Sequence, residues 1–456
     1  MTRTAASVTG SPEFDYAPGQ PNLFRMMKYK QALAMEHGIE KGFETYRQTF
    51  GLPGSVTLNN VQVASDHEFA RQQALFFLET APAGQVFENH PPPVHGTGNH
   101  RAIKGVTRSQ FVACVEDAQL HGRASAIRCQ GRMLLDFQAD ERERLDDELE
   151  WDPTVFHASD DRAWVFSGFD ATPPLELDEA FTLLGAHTDF FGHWMVEYLP
   201  KFVIAILSGA LPAVPVLIDA HMPPSHRQSL ELLYGADLQL IEVPAFRTVH
   251  VRKLWYAPTL SYMPLHEKRN ERFSWDAIAG PASRLAVAGT AMKRRADVAL
   301  GSSGGHATRV FLARKSFRHR KLTNAPEIQA IAAERGFHVA YPEDLDFAGQ
   351  VNLMRHATHV IAPEGSALFL TFFSPTGARV CVLSHPLTDV LADYNAVLMP
   401  AGVRMCAVTG PITRYNEATP HDSDYEIDAD FAPFLDRWLG EGTGQEPPAV
   451  DRYAGK

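Results

Sequence analysis

Residues 310–383 read VFLARKSFRHRKLTNAPEIQAIAAERGFHVAYPEDLDFAGQVNLMRHATHVIAPEGSALFLTFFSPTGARVCVL, and their punctuation decides the fold. Short apolar runs at 310–312, 337–340, 359–362 and 379–383 have the length of buried strands. Between them, 326–335, 347–356 and 366–373 have helical character. Pro326 suits a first helical turn, where its missing N–H costs nothing, and Gly336 suits a helix end. Ser366 is placed to cap the third helix. Strands alternating with helices at this spacing predict a doubly wound parallel sheet.

The same alternation recurs upstream, from about 175 to 264. Strands are expected at 182–184, 214–218, 238–243 and 251–256, with helices at 193–207 and 225–234. Further back, residues 112–137 carry short alternating segments that predict antiparallel strands. Residues 22–50 have helical apolar spacing, and Pro91-Pro92-Pro93 forces an extended path. A Gly-, Ala- and Ser-rich segment separates the two alternating regions and reads as a linker. The expected plan is a flexible tail (1–20), a first domain (21–280), a linker (281–306) and a second domain (307–410). A closing segment (411–456) would follow, its helix near 431–439 returning to the first domain. Two doubly wound α/β domains would then face a cleft, and such sheets bind ligands at the carboxyl ends of their strands. No internal repeat is evident.

The chain has 456 residues, 45% hydrophobic and 21% charged, which fits a folded protein of more than one core. A net charge of -12 argues against a general nucleic-acid binder, which needs a basic surface. The four cysteines form no CxxC pair and read as reduced, packed thiols. The start of the sequence lacks the apolar core of a secretory signal. The most apolar run, 194–207, is interrupted by Glu197 and Lys201 and is too short to span a bilayer. The expected location is cytoplasmic, with peripheral membrane association left open. The acidic run 140–150 reads as a solvated helix face.

Three constellations carry chemistry. The first is His187-Thr188-Asp189-Phe190-Phe191-Gly192-His193-Trp194-Met195-Val196-Glu197, at a strand-to-helix turn. His193 and Glu197 stand four apart and share a helix face. Glu197, His193 or Asp189 could each act as a general base. A capping Asp189 and an interior His193 would explain the same residues structurally, and a zinc site at His187, His193 and Glu197 is a third reading. The second is Arg314-Lys315-Ser316-Phe317-Arg318-His319-Arg320-Lys321, a dense cationic cluster after a strand. Arginine forks match phosphate oxygens and could stabilise a departing diphosphate, although a solvated basic turn looks the same in sequence. The third is Ala362-Pro363-Glu364-Gly365-Ser366-Ala367-Leu368, where a strand ends and a helix begins. Its backbone N–H groups could hold a phosphate. Glu364 would accept hydrogen bonds from ribose or sugar hydroxyls. The pattern lacks the dinucleotide and P-loop fingerprints and the GxSxG elbow.

These three blocks, in this order, resemble glycosyltransferase family 61. That family includes bacterial capsular-polysaccharide enzymes, eukaryotic O-linked GlcNAc transferases and plant xylan transferases. The resemblance rests on Gly192-His193-Trp194 leading to Glu197 and Leu199-Pro200-Lys201. It continues through the arginine cluster to Asp346–Gln350 and ends on Glu364-Gly365-Ser366-Ala367-Leu368. This sequence has Phe190 where the family often has Asn, Lys201 for the usual Arg, and Glu364 for a common His. The resemblance covers roughly residues 105–385. It implies a GT-B-like fold, inverting transfer and no obligatory metal or cofactor. The donor it implies is a nucleotide-sugar, most readily a UDP-sugar, and the acceptor is a glycan or other hydroxyl. A bacterial role in surface or capsular polysaccharide synthesis is the expectation. Catalysis falls to Glu197, His193 or Asp189, and donor binding to Arg314, Arg318, Arg320, Gln350, Glu364, Gly365, Ser366 and Ala367. A non-catalytic nucleotide-sugar binding or assembly protein on the same fold is the rival reading.

Overall fold

The computed structural model describes residues 30, 32–97, 102–136, 152–159, 161–168, 172–260, 282–301, 307–315, 319–388, 390–417, 420–428 and 430–440. The expected tail, the acidic run 140–150 and Arg318 lie outside the described residues.

Two sheets organise the described chain. The larger has eleven strands and is mixed. Its parallel part comprises β1 (Leu175–Thr182), β2 (Val216–Asp219), β3 (Leu240–Val243) and β4 (Thr248–Tyr256), in the order β3-β2-β1-β4. Strand β4 pairs antiparallel with Gln110–His121, which opens the predominantly antiparallel N-terminal part. A helical stretch over residues 191–207, here α1, follows β1, and α2 (Pro224–Tyr234) follows β2.

The second sheet contains β5 (Arg309–Leu312), β6 (His338–Ala340), β7 (His359–Pro363), β8 (Arg379–Ser384) and β9 (Arg404–Thr409). All are parallel, in the order β6-β5-β7-β8-β9, so the strand order reverses between β5 and β7. That reversal is the switch point where doubly wound sheets open a ligand crevice. Strand alternation sends Val310 and Leu312 to one face and Phe311 and Ala313 to the other, all of them buried. A parallel sheet covered on both faces needs this near-continuous apolar sequence. Helices α4 (Ala325–Glu334) and α5 (Phe347–Met354) cover opposite faces.

The segment expected as a linker contains α3 (Ala282–Leu300). Ala288, Met292 and Ala296 lie four apart and are fully buried. Alanine is the strongest helix former, and its small side chain lets neighbouring helices approach. Here α3 packs on α1, α2, α5 and α6 (Leu391–Leu398). One apolar core therefore runs from Phe181 and Trp194 through α3 to Val360 and Val380 and fixes the two sheets relative to each other.

The closing helix α7 (Phe431–Gly440) corrects a second expectation. Phe431, Leu435 and Trp438 bury against Ile328, Ala332 and Phe337, so α7 covers the second sheet rather than returning to the first. No described helix is long and apolar enough to cross a membrane.

Candidate active site

A cavity of about 790 Å3 opens between the two sheets. One wall carries Phe190, Phe191, Gly192, His193 and Glu197 from the start of α1. The other carries Arg314, His319 and Arg320 after β5, and Gly365, Ser366 and Ala367 after β7. Gln350, Tyr394 and Asn89 also line it. The two walls touch, because a Cβ on Gly192 would lie 3.3 Å from the Ser366 Cβ.

The first wall is held by a buried network. Asp219, at the end of β2, accepts from the Gly185 N–H at 3.1 Å, the Thr188 hydroxyl at 2.7 Å and the Arg123 N–H at 2.6 Å. Burial nevertheless raises its carboxyl to about 6. The His226 ring meets the Thr188 carbonyl at 2.8 Å and stacks on Trp194 at 5.2 Å. Gly185 is required here, since a Cβ would come within 2.2 Å of the Tyr198 ring. These contacts fix the loop that delivers His193.

Helix α1 contains a π turn, Trp194–Tyr198, in which the Leu199 N–H donates to the Trp194 carbonyl. Pro200 follows in the second position of the next α-helical turn. Proline has no N–H to give the carbonyl four residues back, and a wider turn relieves the clash of its ring. Within this turn, His193 Nδ1 lies 3.0 Å from Glu197 Oε1. A proton on Nδ1 leaves Nε2 as the lone-pair nitrogen, so the carboxylate orients the imidazole as a base. His193 is 39% exposed and Glu197 only 18%, so the imidazole is the member open to a reactant.

Asp189 is turned elsewhere. It pairs at 2.7 Å with Arg123, a buried residue in the left-handed backbone region (φ 63°). Its role is to anchor the loop. Beside it, the His187 and His193 rings stack at 4.6 Å. Among the described residues no group of three His, Cys, Asp or Glu side chains forms a metal cage.

On the second wall, the partly buried Arg320 and the fully buried Glu364 form an ion pair at 3.1 Å. The other Glu364 oxygen accepts from the Ser384 hydroxyl. Both carboxylate oxygens are thus engaged below the cavity surface, which corrects the expectation that Glu364 receives a sugar hydroxyl. Its work is to hold Arg320, whose backbone is left-handed (φ 54°), a conformation non-glycine residues adopt at some cost. Burial pulls Arg320 down most strongly, but Glu364, Tyr394, Asp422 and Tyr425 together outweigh it and raise the guanidinium. Arg314 moves the other way, lowered by burial and then by the neighbouring Arg320 charge. Arg320 pairs with the Glu364 carboxylate while Arg314 lies against the Glu364 backbone carbonyl, and two such close cations favour an anion in the cavity.

Ser366 does not cap an α-helix. Residues Ser366–Phe373 form a 3-10 helix whose cap position is Gly365. The segment from Leu368 to Phe373 is buried among α3, α5, α6 and the start of α1, and this crowding accompanies the tighter coil. A Cβ on Gly365 would lie 3.2 Å from Arg314 Nη1, so glycine lets the guanidinium lie close against the turn. Gln350 is 8% exposed, and its Nε2 donates to the carbonyls of Pro342 and Leu345.

Sequence reasoning missed Asn89 and Tyr394. Asn89 precedes a proline run that reads only as a loop. Tyr394 sits on α6, whose apolar spacing is short.

The cavity thus sets paired arginines at a parallel-sheet switch point opposite an imidazole oriented by a carboxylate. Residues 191–381 match the family model described as Glycosyltransferase 61, and that match supports glycosyltransferase activity. The match begins at the first wall and ends in β8, so it spans both sides of the cavity. No curated protein matches the chain.

Proposed function

We propose that the protein is an inverting glycosyltransferase of the two-lobed GT-B kind. It would move a sugar from a nucleoside-diphosphate sugar, a UDP-sugar by first choice, to a hydroxyl of a glycan acceptor. Residues 21–280 form the acceptor side and 307–410 the donor side. The observation that carries this reading is the opposition of His193–Glu197 and Arg314–Arg320 across one cavity. His193 Nε2 takes the acceptor proton as the acceptor oxygen bonds to the anomeric carbon. The bond from that carbon to the diphosphate oxygen breaks, and its electron pair leaves on the diphosphate. Arg314 and Arg320 stabilise that charge as it develops. A single displacement inverts the anomeric centre. A role in surface or capsular polysaccharide synthesis follows the family resemblance, and its proposed place is the cytoplasm.

The test is turnover. Purified protein is incubated with UDP-sugars and a panel of oligosaccharide acceptors, and UDP release and the labelled product are followed. Acceptor-dependent UDP release with an inverted linkage supports the reading. Nucleotide binding without any turnover across UDP- and GDP-sugar panels would favour a binding protein instead.

A further inference from the structure

The N-terminal segment lies outside the matched domain, yet it contributes to the cavity wall. Residues Val86–Asn89 pair antiparallel with Ile103–Val106. The chain then crosses to the second sheet, where Val94–His95 adds a sixth parallel strand beside β9. The crossing is tied down at several points. The Asn395 amide donates to the His90 carbonyl at 2.8 Å, and the Ala407 N–H donates to the Pro93 carbonyl at 2.9 Å. The Thr409 hydroxyl donates to the Thr97 carbonyl at 2.8 Å. Gly96 has φ 118°, and a Cβ there would meet Thr409 Oγ1 at 2.4 Å, so only glycine passes.

This strap presents Asn89 to the cavity. Asn89 is 5% exposed and lines the wall, and its buried Nδ2 has no hydrogen-bond partner among the described residues. A buried amide left unpaired is costly unless a ligand completes it. Position along the sheet says which part of a ligand that is. The segments after β6, β5, β7 and β8 supply Gln350, Arg314, Ser366 and Tyr394 in spatial order. The arginines take the middle. Asn89 lies at the β8 end, beside α6, because its neighbour His90 is held by Asn395. Tyr394, next to Asn395, lies within electrostatic reach of Arg314 and Arg320.

We infer that Asn89 is a specificity residue that hydrogen-bonds a hydroxyl of the donor's glycosyl ring. The nucleoside then lies toward Gln350, and the diphosphate between them. A carboxamide suits this task, because it both donates and accepts, as a sugar hydroxyl does. The inference rests on the nucleotide-sugar reading given above.

The experiment is calorimetry and thermal melting of the full chain and of Asn89→Ala and Asn89→Asp. The probes are UDP, UDP-glucose, UDP-N-acetylglucosamine and UDP-xylose. Asn89→Ala is expected to bind the wild type's preferred UDP-sugar about tenfold more weakly, the weight of one good hydrogen bond. Its affinity for UDP itself should stay within about threefold, less than one such bond is worth. Its ligand-free melting temperature should hold or rise, because the change removes an unpaired buried amide. Asn89→Asp, which lacks the donor, should lose the UDP-sugar likewise. Unchanged UDP-sugar affinity overturns the inference alone. Equal losses for UDP and UDP-sugar together with a lower melting temperature also overturn it, because they mark a structural residue. A wild type that binds none of the four probes overturns the functional reading, and this inference with it.

Discussion

Gly192 and Ser366 meet across the cavity, with only 3.3 Å between the position of a Gly192 Cβ and the Ser366 Cβ. The same Cβ would stand 3.6 Å from Phe369 Cε2. The two walls are therefore closed to contact at the point where α1 starts. Gly192→Ala should decouple stability from activity. Alanine favours the helix by up to about 1 kcal/mol, which offsets the crowding, so the melting temperature should barely move. A displaced His193 should lower kcat/KM about tenfold, since misplacement by a fraction of an ångström is enough. Melting curves and steady-state kinetics on one preparation check both halves of this expectation.

The His193–Glu197 pair sets a hierarchy between the two. With His193 as the proposed base, His193→Ala should lower kcat by about a hundredfold or more, while UDP affinity is retained. Glu197→Gln keeps the shape of the orienting group but not its charge, so its loss should be smaller. An equal or larger loss for Glu197→Gln would make the carboxylate the base.

Glu364 is a structural carboxylate. Glu364→Ala removes the partner of the partly buried Arg320 charge and should cost about 1–3 kcal/mol in urea unfolding. Glu364→Gln retains hydrogen bonding and should cost less. A loss under about 1 kcal/mol for Glu364→Ala would mean that Arg320 finds another counter-charge.

Much of this architecture was legible in the sequence. The second sheet was readable because each of its strands is a short apolar run closed by a turn, as at Val310–Leu312 and Arg379–Leu383. The pairing of His193 with Glu197 followed from helical spacing. Other features were hidden for physical reasons. Helix α3 resembles a linker in composition, yet its Ala288, Met292 and Ala296 stripe is what permits close packing. Glu364 looked like a ligand contact because sequence does not reveal that Arg320 and Ser384 occupy both its oxygens. Asn89 reaches the cavity through a tertiary crossing that no local pattern encodes.

Acid should weaken the fold between about pH 6.5 and 4. Burial lowers His221 and His226 from 6.5 to about 4, so in that window the unfolded chain takes up protons that the folded chain refuses. Stability is full above the unfolded value and is lost as pH falls through the folded one. Asp219, raised to about 6, works oppositely: its contribution is present near pH 4 and lost as pH rises through 6. Two histidines outweigh one carboxyl, so the melting temperature should fall on acidification. His226→Gln should flatten that slope, as melts at half-unit pH steps would show.

The central claim is that the Arg314–Arg320 side of the cavity grips a nucleotide diphosphate. Titration calorimetry of UDP into wild type and Arg314→Ala tests it most directly. One lost charge-assisted contact predicts binding weaker by about ten- to a hundredfold, with the fold intact. Equal affinity in the two proteins would contradict the account.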